Sequence, residues 1–300
     1  METLATAFPK QAQKALSLSR VSTLISSENV FQEGNADILP ILDEMVSLHM
    51  LPGSGADGME NLEELLAKAE SGKSCLLLLE HYSNFDLSIL SLLVRMAGGR
   101  GEDIAKSLVA IAGMKLNEDN PAVAAFASAY TRIVIYPSRS LHGMEPQKKK
   151  IELTRCIGIN RAAMKALDYH KARGKLIVVF PSGTRYRPWD PSTKKGVREI
   201  DSYIRSFDYM CCIALNGMIL HVDPADMMND EVTDDVLRIS AGPVCSCAEF
   251  RSRALASAAD SNPEDRKQVV VDAIMTELER LHIIAEEKRK VLMHQEENHD

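Results

Sequence analysis

Two ionisable residues five apart, His81 and Asp86, lie in the segment Glu80-His-Tyr-Ser-Asn-Phe-Asp86. An imidazole paired with a carboxylate suits a general base. The carboxylate fixes the tautomer and stabilises the imidazolium, leaving the second ring nitrogen free to take a proton. The spacing alone carries little weight: with 8 His and 19 Asp in 300 residues, chance supplies roughly 0.5 such pairs. Arg185 and Arg187 are two apart, so an extended backbone projects both from one side. Two guanidinium forks side by side suit a phosphate, and Gly183 before them permits a sharp turn. Arg139 is a third candidate of the same chemistry. The bland alternatives are a capping Asp beside a helix-start His and a pair of solvated arginines.

What raises the chemical reading is where these residues fall among the elements. Cys75–Leu79 is a short continuous apolar run, the pattern of a strand buried on both faces. Similar runs predict strands over residues 108–112, 133–136, 175–180, 210–215 and 236–240. Between them, helical spacing appears over 85–96, 121–130 and 145–173. Residues 121–130 follow Asn120 as cap, with Pro121 in the first turn. A long amphipathic helix runs to about residue 292 after an Asn262-Pro263 start. Alternating strands and helices predict an α/β fold with a mostly parallel central sheet flanked by helices. Residues 1–70 read instead as a small helical domain, with helices over 38–51 and 59–69, ahead of an α/β domain over 71–300. In such sheets ligands sit beyond the carboxyl ends of the strands. His81 and Asp86, Arg139, and Arg185 with Arg187 each follow a strand of this kind. Ser83 or Asn84 is expected to cap the next helix, placing Asp86 in its first turn.

Composition narrows the function classes. The chain is 45% hydrophobic and 26% charged with net charge −7, which argues against a general nucleic-acid partner. The longest apolar run is far short of the roughly 20 residues of a membrane span, so membrane contact is expected to be peripheral at most. Six cysteines form no Cys-x-x-Cys pair; buried reduced thiols are expected, hence a reducing, cytoplasmic compartment. The first 27 residues carry one acidic residue, Glu2, with several serines and Lys10, Lys14 and Arg20. That is a faint organelle-targeting flavour beside the plainer reading of an exposed helical start.

The segment Glu80 to Asp86 resembles the His-x4-Asp block of the glycerolipid acyltransferase superfamily. Phe180-Pro-Ser-Gly-Thr-Arg185 resembles its Phe-Pro-Glu-Gly-Thr-Arg block. Continued to Pro188, the second segment is closer to the Pro-Ser-Gly-Gly-Arg-Asp-Arg-Pro of the soluble, plastid-type glycerol-3-phosphate acyltransferases. Arg132-Ile-Val-Ile-Tyr-Pro-Ser-Arg139 resembles the strand that leads to a basic phosphate-binding residue in that branch. Order and spacing agree over residues 70 to 250. The resemblance implies an acyl group moved from acyl carrier protein or coenzyme A to the sn-1 hydroxyl of glycerol 3-phosphate. His81 would be the general base, Asp86 its partner, and Arg139, Arg185 and Arg187 the phosphate ligands. No metal or organic cofactor is implied, and the setting would be cytoplasmic, or the plastid stroma if the N-terminus is a targeting remnant. Ser182 stands where membrane-bound relatives have Glu, and Gly183 follows it. Where the soluble branch has a Lys-His pair, this chain has Arg139-Ser140, so either one phosphate contact is lost or His142 replaces it.

Three other readings fit the same motifs: acylation of lysophosphatidate, a phosphate-ligand binding protein without turnover, and a scaffold whose motifs have decayed. An acidic carrier protein would need a local positive patch on this acidic chain. Lys148-Lys149-Lys150 with Arg155, and Lys194-Lys195 with Arg198, are the candidates; solvated helix faces are the plain alternative.

Overall fold

The computed structural model describes residues 2–20, 22, 24–118, 120–258 and 265–297. The expected Asn262-Pro263 helix start lies outside them. Among the described residues twelve strands form, in chain order: β1 Glu2–Thr3, β2 Phe31–Gln32, β3 Gly55–Asp57, β4 Cys75–Leu79, β5 Leu108–Gly113, β6 Arg132–Ile135, β7 Leu176–Val179, β8 Tyr209–Asn216, β9 Leu220–His221, β10 Glu231–Val232, β11 Arg238–Ala241 and β12 Cys245–Ser246.

The main sheet runs β2-β6-β5-β7-β4-β8-β11-β3, with β12 also paired to β8. Its five central strands, β6-β5-β7-β4-β8, are all parallel. This is the mostly parallel α/β sheet that the apolar runs predict. β4 lies between β7 and β8, with Leu77 opposite Val178 and Cys211. Every residue of β4 is buried. Leu77 and Leu79 join the core on one side of the sheet, Leu76 and Leu78 that on the other. The two-residue alternation of a strand thus anchors both helical layers to one central element.

Residues 1–70 do contain helices, among them Pro9–Leu18, Leu39–Ser47 and Met59–Glu70. They also supply β2, antiparallel to β6, and β3, parallel to β11, so this segment closes both edges of the main sheet. Leu4, Phe8, Ile38 and Leu62 share a core with Leu77 and Leu79. A small antiparallel sheet, β1-β10-β9, ties the amino terminus to the 220–232 region.

The long C-terminal helix, Arg266–Glu297, buries Val270, Val271, Ile274 and Leu278 against the sheet. Among the described residues no helix is long and apolar enough to cross a membrane.

Candidate active site

The loop after β4 carries His81, and the helix Asp86–Met96 begins at the carboxylate itself. Neither Ser83 nor Asn84 caps that helix: its N-cap residue is Phe85, which makes no side-chain cap. Asp86, in the first turn as expected, folds back instead. It accepts from Tyr82 N at 2.6 Å, from Ser83 N at 2.9 and 3.0 Å, and from Ser83 Oγ at 2.8 Å. His81 Nδ1 completes the set at 2.8 Å from Oδ2. Asp86 is 1% exposed, so the four donors replace its hydration. A carboxylate only accepts, so Nδ1 carries the proton and Nε2 is left as the basic nitrogen. Among the described residues Nε2 has no hydrogen-bond partner.

The loop after β7 is docked onto this one. His81 stacks on Phe180 with ring centroids 4.2 Å apart, and Tyr186 N donates to His81 O at 2.8 Å. Gly183, at φ +62°, makes the expected turn. Its carbonyl accepts from the Arg139 guanidinium, which reaches it from the loop after β6. The three strand ends therefore meet, as their positions predict.

The individual side chains differ in what they have to offer. Arg139 and Arg187 are exposed, and the Arg187 guanidinium has no partner among the described residues. Arg185 is committed in part: its Nη1 lies 2.5 Å from Oδ2 of the fully buried Asp230. Burial pushes the Asp230 carboxyl above its ordinary value, although the Asp223 N–H and Arg185 both pull it down. Ser182 turns inward and donates to Thr184 O at 2.7 Å. His142 is exposed and its ring touches none of these groups. Of the two basic clusters, the second is partly paired: Lys194 meets Glu279 at 2.6 Å and Arg198 meets Asp265 at 3.2 Å, while Lys195 is exposed. In the first, Arg155 donates to Ile25 O at 3.0 Å, whereas Lys148, Lys149 and Lys150 extend into solvent.

Sequence reasoning missed a second polar cluster directly behind His81. The buried Glu80 accepts from Tyr82 Oη at 2.8 Å through Oε1. Its Oε2 accepts from Leu215 N at 2.9 Å and from His282 Nδ1 of the C-terminal helix at 2.8 Å. Burial and the Glu80 charge hold the Tyr82 phenol far above its ordinary range, so it remains a donor. Burial lowers the affinity of His282 for a proton, but the hydrogen bond and charge of Glu80 outweigh it and raise its pKa. A small cleft lies at this junction, walled by His81, Tyr82, Tyr186, Met275 and Leu278.

The sign of the His282 shift makes a prediction. A histidine whose pKa is raised on folding stabilises most below its unfolded value, 6.5, and loses that contribution as pH rises through the folded value. His282→Gln should cost about 1.5–3 kcal/mol at about pH 6, as for a hydrogen bond to a charged group, and clearly less at about pH 9. Thermal melts at the two pH values test this; an equal loss at both would remove the ionic contribution of His282.

Burial pushes all six thiols up, Cys75 to about 12 and Cys245 to about 11. None is poised as a thiolate nucleophile. Against known proteins, no family model matches the chain, and no curated protein matches it.

Proposed function

We propose that this chain is an acyltransferase that moves a fatty acyl group from a thioester, on acyl carrier protein or coenzyme A, to the sn-1 hydroxyl of glycerol 3-phosphate. One observation carries the reading. An imidazole held through Nδ1 by a buried carboxylate leaves Nε2 free in a loop against which the Arg185 and Arg187 loop docks, and Arg139 reaches that second loop at Gly183. The motif resemblance over residues 70 to 250 supports it and supplies the acceptor.

The chemistry follows from the atoms available. His81 Nε2 takes the proton of the acceptor hydroxyl as its oxygen attacks the thioester carbonyl. The tetrahedral intermediate collapses and expels the thiolate, and the imidazolium returns its proton to that sulfur. Asp86 stabilises the imidazolium between the two transfers and is not itself protonated. Ester and free thiol are the products, with no covalent enzyme intermediate.

Arg139 and Arg187 hold the acceptor phosphate, with the unpaired N–H groups of Arg185 as a weaker third contact because Asp230 offsets its charge. Arg187→Ala should raise the KM for glycerol 3-phosphate by about 10- to 150-fold, the equivalent of one charge-assisted contact. The KM for the acyl donor should barely move. Steady-state kinetics in each substrate separately tests this, and an equal rise in both would take Arg187 out of the acceptor site. Lysophosphatidate, offered as acceptor in the same assay, discriminates the closest rival. A phosphate-binding protein without turnover would bind glycerol 3-phosphate and release no thiol.

A further inference from the structure

The helix Pro146–Lys171 follows the Arg139 loop and lies along the outside of the sheet. Its inner face, Cys156, Ile159, Ala163 and Leu167, is buried in the core. Its outer face is unlike the rest of this acidic protein. Residues 146–167 hold six Lys and Arg against a single Glu, and residues 153–167 hold no acid at all. That Glu, Glu152, is turned to Tyr136 Oη, 2.8 Å away, and to Arg155. Lys148, Lys149, Lys150, Arg161 and Lys165 are exposed, and no side-chain partner meets them among the described residues.

Between these cations stand aliphatic side chains that no described residue covers. Ile151 is 72% exposed, Ile157 60%, Met164 47% and Leu153 45%. At 100° per residue, Leu153, Ile157 and Met164 fall within one narrow stripe, roughly 16 Å long, beside Lys150, Arg161 and Lys165. Such side chains are tolerated singly on a surface, but an aligned set flanked by unpaired cations marks a docking face.

We infer that this outer face is a peripheral docking surface for an anionic lipid bilayer. The inference stands on this helix and not on the reaction proposed above, though a lipid product released beside a bilayer suits both. Lysines and arginines bind the headgroup charge while their stems and the aliphatic stripe enter the acyl boundary. The lysines alone would serve an acidic protein, but leave the stripe unexplained. A second copy of the chain, docked through the same face about a twofold axis, would bring like charges together.

Vesicle flotation with the full chain tests this. Wild type should float with phosphatidylcholine vesicles containing about one-third phosphatidylglycerol and stay down with phosphatidylcholine alone. Binding should vanish in about 1 M salt, where charges are screened beyond ~3 Å. The K148E/K149E/K150E variant should lose at least ~30-fold in vesicle affinity. L153S/I157S/M164S, which keeps every charge, should lose ~10-fold or more. Both variants should melt like wild type and keep their turnover with a short-chain acyl-coenzyme A. His81→Ala should float like wild type, so a failed reaction and a failed docking surface are separable. The inference is overturned if wild type does not float with anionic vesicles, or if the serine variant floats unchanged. It is overturned equally if wild type is a dimer that the serine variant makes monomeric, or if the lysine variant loses an acidic carrier protein while still floating.

Discussion

His81→Ala should lower turnover by about 10²–10⁴-fold and leave the protein folded. The fold is expected to survive because the carboxylate behind the imidazole is not orphaned by the change. Asp86 keeps the Tyr82 and Ser83 N–H groups and the Ser83 hydroxyl. His81 itself sits in the loop, two residues beyond the end of β4, and its backbone carbonyl still accepts from Tyr186 N. On the proposed mechanism, what disappears is the proton acceptor: among the described residues no other histidine shares this strand-end loop, and His282 is occupied by Glu80. Binding of glycerol 3-phosphate should persist, because the arginines are untouched. Turnover within a factor of two of wild type would take His81 out of the mechanism.

Asp86→Asn should be about as damaging to turnover, 10²–10⁴-fold, and should also cost stability, on the order of 1–3 kcal/mol. Both effects come from one geometrical fact. Four donors converge on the two carboxylate oxygens: Tyr82 N, Ser83 N, Ser83 Oγ and His81 Nδ1. An amide offers one oxygen and one N–H₂, so at least one donor meets another donor. If the amide nitrogen faces His81, the ring must present Nδ1 as acceptor. The proton then sits on Nε2, where the base should be. If it takes the place of Oδ1 instead, it meets the Ser83 N–H at the shorter of that group's two contacts in a buried site. Neither amide orientation restores an anion beside the imidazolium. A melt unchanged from wild type, with turnover within tenfold of it, would contradict this account of Asp86.

Much of this was legible in the sequence, and physical reasons separate what was from what was not. β4, β7 and β8 are buried along all or nearly all of their length and β5 over its first three residues, so they appear as unbroken apolar runs, and the ends of β4 and β7 place candidate site residues at once. Cys75–Leu79 is found at the bounds that its run predicts. β1, β2, β9 and β10 span two residues each and β3 three, too short for any period to show. That is why residues 1–70 read as purely helical although they close both edges of the main sheet. The candidate dyad was legible because its two members are neighbours in the chain. Glu80 and His282 are 202 residues apart, and the one local signal was a histidine within the apolar stretch Leu281-His-Ile-Ile284. The Arg185–Asp230 pair was hidden likewise, since Asp230 is one of several acids in an ordinary polar loop. Sequence gives the charge of an arginine but not whether the fold has already paired it.

Thiol release from a long-chain acyl-coenzyme A, with and without glycerol 3-phosphate, is the most direct test of the acyltransferase reading. The purified full chain should release thiol in step with formation of an sn-1 acyl ester, only when the acceptor is present, with His81→Ala reduced by about 10²–10⁴-fold in parallel. No acceptor-dependent thiol release from protein that binds glycerol 3-phosphate would contradict the reading, as would equal release by the His81→Ala protein.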